Sequence, residues 1–343
     1  MATDAAAEVA GRYAHFADDA RGRSALYEEW ARGVVADERV RDVIARIPAD
    51  HRQAPLVFAV ARLLGAPEAG FAAWAEWVVA HADVLVAESA RRSVQTNEPL
   101  RCAALLPALS LIDGPIALLE VGASAGLCLY PDRYSYRYRG PGGLRALDPA
   151  AGPSTVVLSS ELTTHDDRMP PLRLPGIAWR AGVDLDPLDA SDPDDRRFLT
   201  TLVWPGESGR VERIEAALDI VAADPPLLVR ADATADGVLA DLASRAPRDA
   251  TLVVTTPGVL PHIPRAGRVR LAEAIAALGA RWITIDPPSL HADLADEVRP
   301  GGSLVEPDAW DAFVLALDGV PLASVDPLGA SVAWRPVDRP DAP

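Results

Sequence analysis

Glu120, Gly122, Ser124 and Gly126 are the residues of this 343-residue chain whose types and spacing most readily do chemistry. They lie in the stretch Leu118-Leu119-Glu120-Val121-Gly122-Ala123-Ser124-Ala125-Gly126-Leu127. An apolar run ends in a carboxylate, and a tight turn of small residues follows. Ile116–Leu119 predicts a buried parallel strand, and Leu127–Tyr130 predicts the start of a helix. That order sets backbone N–H groups and a helix N-terminus at the C-terminal edge of a sheet, where open α/β folds bind nucleotides. Gly122 can take a positive φ, and Gly126 lets helix and ligand approach closely. A dinucleotide fingerprint needs glycine at its first, third and sixth positions. Counting from Gly122, those later positions are Ser124 and Leu127, so that fingerprint is absent. The same residues also read as an ordinary strand-to-helix turn.

Further carboxylates stand where a nucleoside would need them. Ile177–Val183 reads as a strand that ends in Asp184, with Asp186 two residues on. A carboxylate at the end of the second strand can accept both ribose hydroxyls. Which of Asp184 and Asp186 does so is open at this stage. Asp232 stands just past a third strand, Leu227–Val229. His262 follows a fourth, Thr251–Thr256, and is the best-placed candidate base; its competing reading is a loop histidine beside two prolines. Upstream, Asn97, Glu98 and Arg101 fall in Gln95-Thr96-Asn97-Glu98-Pro99-Leu100-Arg101. Thr96 or Asn97 suits an N-cap and Pro99 a first helical turn. Glu98 and Arg101 sit three apart on a helix leading into the first strand, and are candidate substrate or cofactor contacts.

Other clusters read as structure. Asp184, Asp186, Asp189, Asp192, Asp194 and Asp195 lack the glycine and terminal glutamate of a calcium loop. Asp192-Pro193 with Asp194 and Asp195 matches a capped helix start. Alternating Tyr134, Tyr136 and Tyr138 predict a strand with one aromatic face; a cage for a cation is the weaker alternative. His15, His51 and His81 share no metal-ligand spacing, and His81 falls on the apolar stripe of Phe71, Trp74, Trp77, Val78 and Leu85.

The elements that must position these residues are legible in outline. Residues 1–112 read as amphipathic helices punctuated by Pro48, Pro55 and Pro67. From residue 113 onwards, strands alternate with helices: Asp194–Val203, a helix through Val211 and Val221, Asp236–Arg245, and Val269–Leu278 between the strands already named and Trp282–Ile285. Ala312–Leu317 and Ser331–Trp334 read as a closing pair joined through Pro321 and Gly329, with an antiparallel strand at the sheet's edge. The expected organisation is an N-terminal helical region, 1–112, and a doubly wound, mostly parallel α/β domain, 113–343, with an insertion at about 133–178.

Composition narrows the function classes. Apolar residues make up 49% and charged residues 24%, a globular balance. The net charge is −16, and residues 1–112, with 15 acids and 12 arginines, hold only −3 of it. So acidic a remainder repels phosphate backbones and anionic lipid, so neither nucleic acid nor membrane is an expected partner. No apolar run is long enough to span a bilayer. Two cysteines, Cys102 and Cys128, make no disulfide framework, and the cytoplasm is the expected location.

Glu120, Gly122 and Gly126, then Gly182-Val183-Asp184, Asp232 and Thr251–His262, resemble the successive motifs of class I S-adenosylmethionine-dependent methyltransferases. More narrowly, Thr96-Asn97-Glu98 with Arg101, Glu120–Leu127, Gly182–Asp189 and Leu202-Val203-Trp204-Pro205 resemble an uncharacterised bacterial family, domain-of-unknown-function family 2332. The resemblance implies a methyltransferase-like Rossmann core. The chain departs from the family pattern at Cys128, where asparagine is usual, and at Thr256-Pro257, where His-Ser is usual. Asp286-Pro287-Pro288 is similar to the Asp-Pro-Pro-Tyr motif of amino-methyltransferases, but it follows the fifth strand and lacks the aromatic, so it reads as a turn.

The resemblance implies S-adenosylmethionine as cofactor and a small molecule as methyl acceptor. Glu120 would hold the methionine end. Gly122, Ser124 and Gly126 would give backbone approach, Asp184 would meet the ribose and Asp232 the adenine amine. Two other classes stay in view. One is a non-catalytic nucleotide-binding or interaction protein on the same fold. The other is an NAD-dependent oxidoreductase, disfavoured by the glycine spacing and by the absence of any lysine for a Tyr-x-x-x-Lys pair.

Overall fold

The computed structural model describes residues 2–95, 97–164, 168–293, 310 and 312–335. Thr96, one of the two candidate caps, lies outside the described residues. The fold is mixed α/β, with helices and one large, mostly parallel sheet. The chain divides into two compact units, Met1–Thr96 with Asp189–Glu215, and Asn97–Leu188 with Ala216–Pro343.

The first unit is helical. Its first piece carries α1 (Ala2–Ala20), α2 (Ala25–Ala36), α3 (Glu38–Ala45), α4 (Ala54–Leu63), α5 (Phe71–Ala80) and α6 (Ala82–Arg91), and its second piece the helix Pro193–Thr201. Polar side chains start several of them. Ser24 Oγ accepts the Tyr27 N–H ahead of α2, and Asp37 accepts those of Arg39 and Val40 ahead of α3. The core is aromatic: Tyr13, Tyr27, Trp30, Phe58 and Trp74 are fully buried, with Trp30 and Trp74 stacked at 4.9 Å. Residues 189–215 complete this unit. The guanidinium of Arg62 on α4 donates to the carbonyls of Thr201 (2.7 Å) and Val203 (2.9 Å). His81 is not packed inside, as the stripe predicts. It is exposed beyond the end of α5, its ring stacked on Trp77 at 4.4 Å.

The second unit is built on an eleven-stranded sheet. Its strands are β1 (Pro115–Val121), β2 (Ser135–Gly140), β3 (Gly143–Leu147), β4 (Val157–Thr164), β5 (Gly176–Asp184), β6 (Leu227–Arg230), β7 (Thr251–Pro257), β8 (Arg281–Asp286), β9 (Phe313–Leu317), β10 (Val320–Val325) and β11 (Ser331–Trp334). They lie in the order β3-β2-β4-β11-β10-β9-β8-β7-β1-β5-β6. The five strands β6, β5, β1, β7 and β8 are mutually parallel, and β1 is internal, paired with β5 and β7. One expectation is corrected here: the closing strands are three, β9, β10 and β11, and they are not an edge. The segment expected as an insertion supplies β2, β3 and β4, which continue the same sheet beyond β11, with β3 as its margin.

Strand alternation decides what faces what. Leu119, Val121, Val183, Val254 and Trp282 share a core with Leu239 and Leu242 of α8 (Val238–Ala243) and Leu271 and Ile275 of α9 (Arg265–Ala277). Glu120 therefore lies on the opposite face, level with Gly182 and Thr255. The helix α7 (Arg101–Leu109), buried from Cys102 onwards, contacts strands β4, β8 and β9. The three tyrosines of the β2 segment are buried, and each hydroxyl donates to a backbone carbonyl: Tyr134 to Leu127, Tyr136 to Pro131 and Tyr138 to Ala103. With every hydroxyl committed, they form a packed aromatic face and not an open cage.

Candidate functional site at the carboxyl edge of the parallel strands

The turn after β1 is held open by glycine and tied down by a carboxylate. Gly122 has φ +75° and Gly126 φ +79°, both in the left-handed region. Ser124 shares that region at φ +51°, an uncommon conformation for a residue with a side chain. Two N–H groups hold the turn in place: Gly122 donates to Val183 O (2.8 Å) and Ser124 to Asp184 Oδ2 (2.8 Å). The other oxygen of Asp184 accepts the Asp186 N–H at 2.8 Å. Gly182 makes room for this, since a Cβ there would come within 2.4 Å of the Ala123 Cβ.

The helix expected at Leu127–Tyr130 is a single 3-10 turn, Leu127–Leu129. Pro131 is the physical reason. It has no N–H for a helical bond and biases Tyr130 away from helical geometry. The site therefore lacks the helix N-terminus that would hold a phosphate.

Around this turn, buried polar atoms lack partners. Glu120 Oε2, Ser124 Oγ and Asn97 Nδ2 are buried with no hydrogen bond among the described residues. Asn97 is tied to the turn by its other atom, Oδ1 accepting the Leu127 N–H at 3.2 Å. Burial pushes the Glu120 carboxyl well above the usual carboxylate range. The neighbouring Cys128 and Asp184 add to this, and Arg101 opposes it. Such groups cost free energy to bury, so they mark positions where a ligand's polar atoms would be met.

Arg101 is the centre of charge at this rim. Its guanidinium donates to Pro257 O (3.0 Å) at the end of β7 and to Pro327 O (3.0 Å). Gly258 leaves space for it: a Cβ there would come within 2.9 Å of Arg101 Nη2. Arg101 acts on the charges of Glu120, His262 and Asp286 alike. Glu98 is fully buried, its Oε1 accepting the Leu100 N–H at 2.9 Å, and its carbonyl receives the Cys128 thiol at 3.4 Å.

The remaining candidates stand further out. His262 is exposed in the 3-10 turn Leu260–His262; the protein around its ring, and next the Arg101 charge, hold its pKa below the ordinary imidazole value. Asp232 follows the edge strand β6, and its carboxylate caps its own turn by accepting the Thr234 N–H at 2.8 Å. Asp186 is paired with Arg230. No cluster of three or more metal-ligating side chains exists among the described residues, and no described helix is long and apolar enough to cross a membrane.

Sequence reasoning missed two participants. Asp286, the last residue of β8, is fully buried. Val259 packs on the glycine turn, its Cγ2 2.7 Å from where a Gly122 Cβ would stand. An acid ending an apolar strand before Pro287-Pro288 was a visible signal for the first. Nothing local signals the second.

The chain belongs to the bacterial family described as "Uncharacterized protein conserved in bacteria (DUF2332)", whose model matches residues 10–334. No curated protein and no solved structure matches it.

Proposed function

We propose that this protein binds S-adenosylmethionine at the turn Gly122–Gly126 and transfers its methyl group to a small molecule. The carrying observation is the set of partnerless buried atoms, Glu120 Oε2, Ser124 Oγ and Asn97 Nδ2, gathered around a glycine turn that Asp184 anchors. The order β6-β5-β1-β7-β8 supports the reading. It is the 3-2-1-4-5 order of a Rossmann sheet, with β1 beside the switch point where such folds bind ligands. The methyltransferase-like core is the family of folds this order and these motifs fit best.

The missing helix bears on the choice of ligand. A dinucleotide offers a diphosphate that wants a helix N-terminus, and here only a 3-10 turn follows Gly126. S-adenosylmethionine has no phosphate, so the same turn suits it. This counts against the oxidoreductase. Glu120 would meet the methionine end, Asp184 the ribose and Asp232 the adenine amine. Methyl transfer is an in-line displacement in which positioning can suffice. His262 would accept a proton only where the acceptor must lose one.

A second reading, a non-catalytic nucleotide-binding or interaction protein, draws on Val259, whose side chain packs directly against Gly122 where a ligand would approach. Isothermal calorimetry with S-adenosylmethionine and its demethylated product, beside native mass spectrometry of the purified protein, tests the cofactor, and release of the demethylated product on incubation with candidate small-molecule acceptors separates the enzyme from the binding protein. Binding of both molecules supports the cofactor assignment. A protein that binds neither sinks the cofactor assignment.

A further inference from the structure

Asp286 is a carboxyl the fold does not explain. It ends β8, is fully buried, and neither oxygen makes a hydrogen bond among the described residues. The Leu260 backbone N–H favours its charged form without meeting hydrogen-bond geometry. Its polar neighbours are engaged with other atoms, His291 with the Asp286 backbone among them. His291 Nε2 lies 3.2 Å from Val314 O, and its Nδ1 lies 3.5 Å from Thr284 Oγ1. Arg101 is hydrogen-bonded to the carbonyls of Pro257 and Pro327.

We infer that Asp286 contacts a second ligand through a neutral group that offers a hydrogen-bond donor and an acceptor side by side, as a carboxamide, lactam or amino-heterocycle does. The subsite adjoins Arg101, as the Glu120 turn does. The inference rests on the proposed function only for that ligand's role as methyl acceptor.

The chemistry of the surroundings selects the class. The positive charges of Arg101 and Arg268 both act on Asp286, so a cationic ligand would be repelled by two guanidinium groups. An anion brings acceptors only and would leave one Asp286 oxygen unsatisfied. A donor–acceptor pair meets both oxygens, with the acid in its protonated form. Burial favours that form, raising the carboxyl well above its usual range.

One short segment packs beside this carboxyl. Gly258, at φ +71°, starts it, Val259 rests on Gly122, the Leu260 N–H acts on Asp286, and Pro264 ends it. On this inference the ligand enters by the lifting of residues 258–263.

Three isosteric probes test this: benzamide, benzamidinium and benzoate, each titrated by ligand-detected NMR and calorimetry into wild type, Asp286→Asn and Asp286→Ala. Asparagine keeps a donor and an acceptor and cannot ionise. Benzamide should bind wild type and Asp286→Asn alike, and weaken about tenfold or more in Asp286→Ala. The charged probes should bind wild type more weakly than benzamide. Thermal melting of each variant reports its fold, and the asparagine variant carries the test if the alanine variant unfolds. Preference for benzamidinium or benzoate overturns the inference. So does equal benzamide affinity in wild type and Asp286→Ala, or binding of none of the probes, since a buried water would then suffice as partner. Benzamide binding without any S-adenosylmethionine binding defeats the cofactor reading and leaves this subsite standing; the reverse result does the opposite.

Discussion

The backbone N–H of Ser124 donates to Asp184 Oδ2 at 2.8 Å, joining residues 60 apart in the chain. The bond ties the turn after β1 to the end of β5, so one carboxylate both shapes the site and stands beside it. Asp186, two residues on, is spent on Arg230 instead.

Asp184→Ala should therefore lose in two ways. A hydrogen bond to a charged group contributes about 1.5–3 kcal/mol. Urea unfolding should show a stability loss of about that size, and S-adenosylmethionine affinity should fall roughly ten- to a hundredfold by calorimetry. Asp186→Ala should change both much less. A larger effect at Asp186 would overturn the assignment of the ribose partner.

Gly122→Ala meets two obstacles, the positive φ of +75° and the Val259 Cγ2 at 2.7 Å. A side chain in the left-handed region costs about 1–2 kcal/mol before any clash. Val259→Ala in the same chain should recover the steric part only. A double-mutant cycle by urea melts should give a coupling of about 0.5 kcal/mol or more. Strict additivity would mean that the two residues do not touch.

The buried Glu120 carboxyl predicts a pH slope. Its folded pKa is raised, so between the ordinary carboxylate range and that raised value the folded state holds the extra proton. Stability is full at low pH and falls as pH rises through this window, by about 1.4 kcal/mol per pH unit for each such proton. Asp286 shifts in the same direction and adds its share. Glu120→Gln should flatten the slope and leave the Asp286 part. An unchanged slope in chemical melts from pH 5 to 8 would show that Glu120 does not titrate in this way.

Tyr134→Phe removes the hydroxyl that donates to Leu127 O at 2.6 Å. A buried carbonyl left without a donor costs about 1–3 kcal/mol. Unfolding in urea should show that loss, with faster amide exchange in the turn Leu127–Leu129. A neutral substitution would mean that water replaces the hydroxyl.

Much of the parallel half of the sheet was legible because its strands are short apolar runs closed by acids or glycine. β1, β5, β6, β7 and β8 all have that form. β3 was not, since Gly143–Leu147 is almost wholly exposed and has no buried face to impose alternation. β10 was hidden by Pro321, a residue that argues against a strand. The glycine turn at Leu127 favours a helix start, and Pro131 four residues on stops it after one 3-10 turn.

The site was legible in its carboxylates and glycines, because their backbone demands are local. The roles of Arg101 and Asp286 were not. Arg101 was singled out for its spacing from Glu98, yet its guanidinium answers to carbonyls at Pro257 and Pro327, contacts no local pattern encodes. Asp286 looked like a turn residue because a missing partner is a property of three dimensions.

The helical unit is assembled from two separated pieces, Met1–Thr96 and Asp189–Glu215. During synthesis its first piece leaves the ribosome incomplete, with α4 lacking the carbonyls of Thr201 and Val203 that Arg62 binds. At ordinary elongation rates the intervening residues take about 5–20 s to appear. For that interval the apolar surface around Phe16 and Tyr27, which Trp204 covers, waits for its closing segment, and loop closure over so long a span is slow. Nascent chains halted before residue 189 should therefore be the species that chaperones hold and proteases cut.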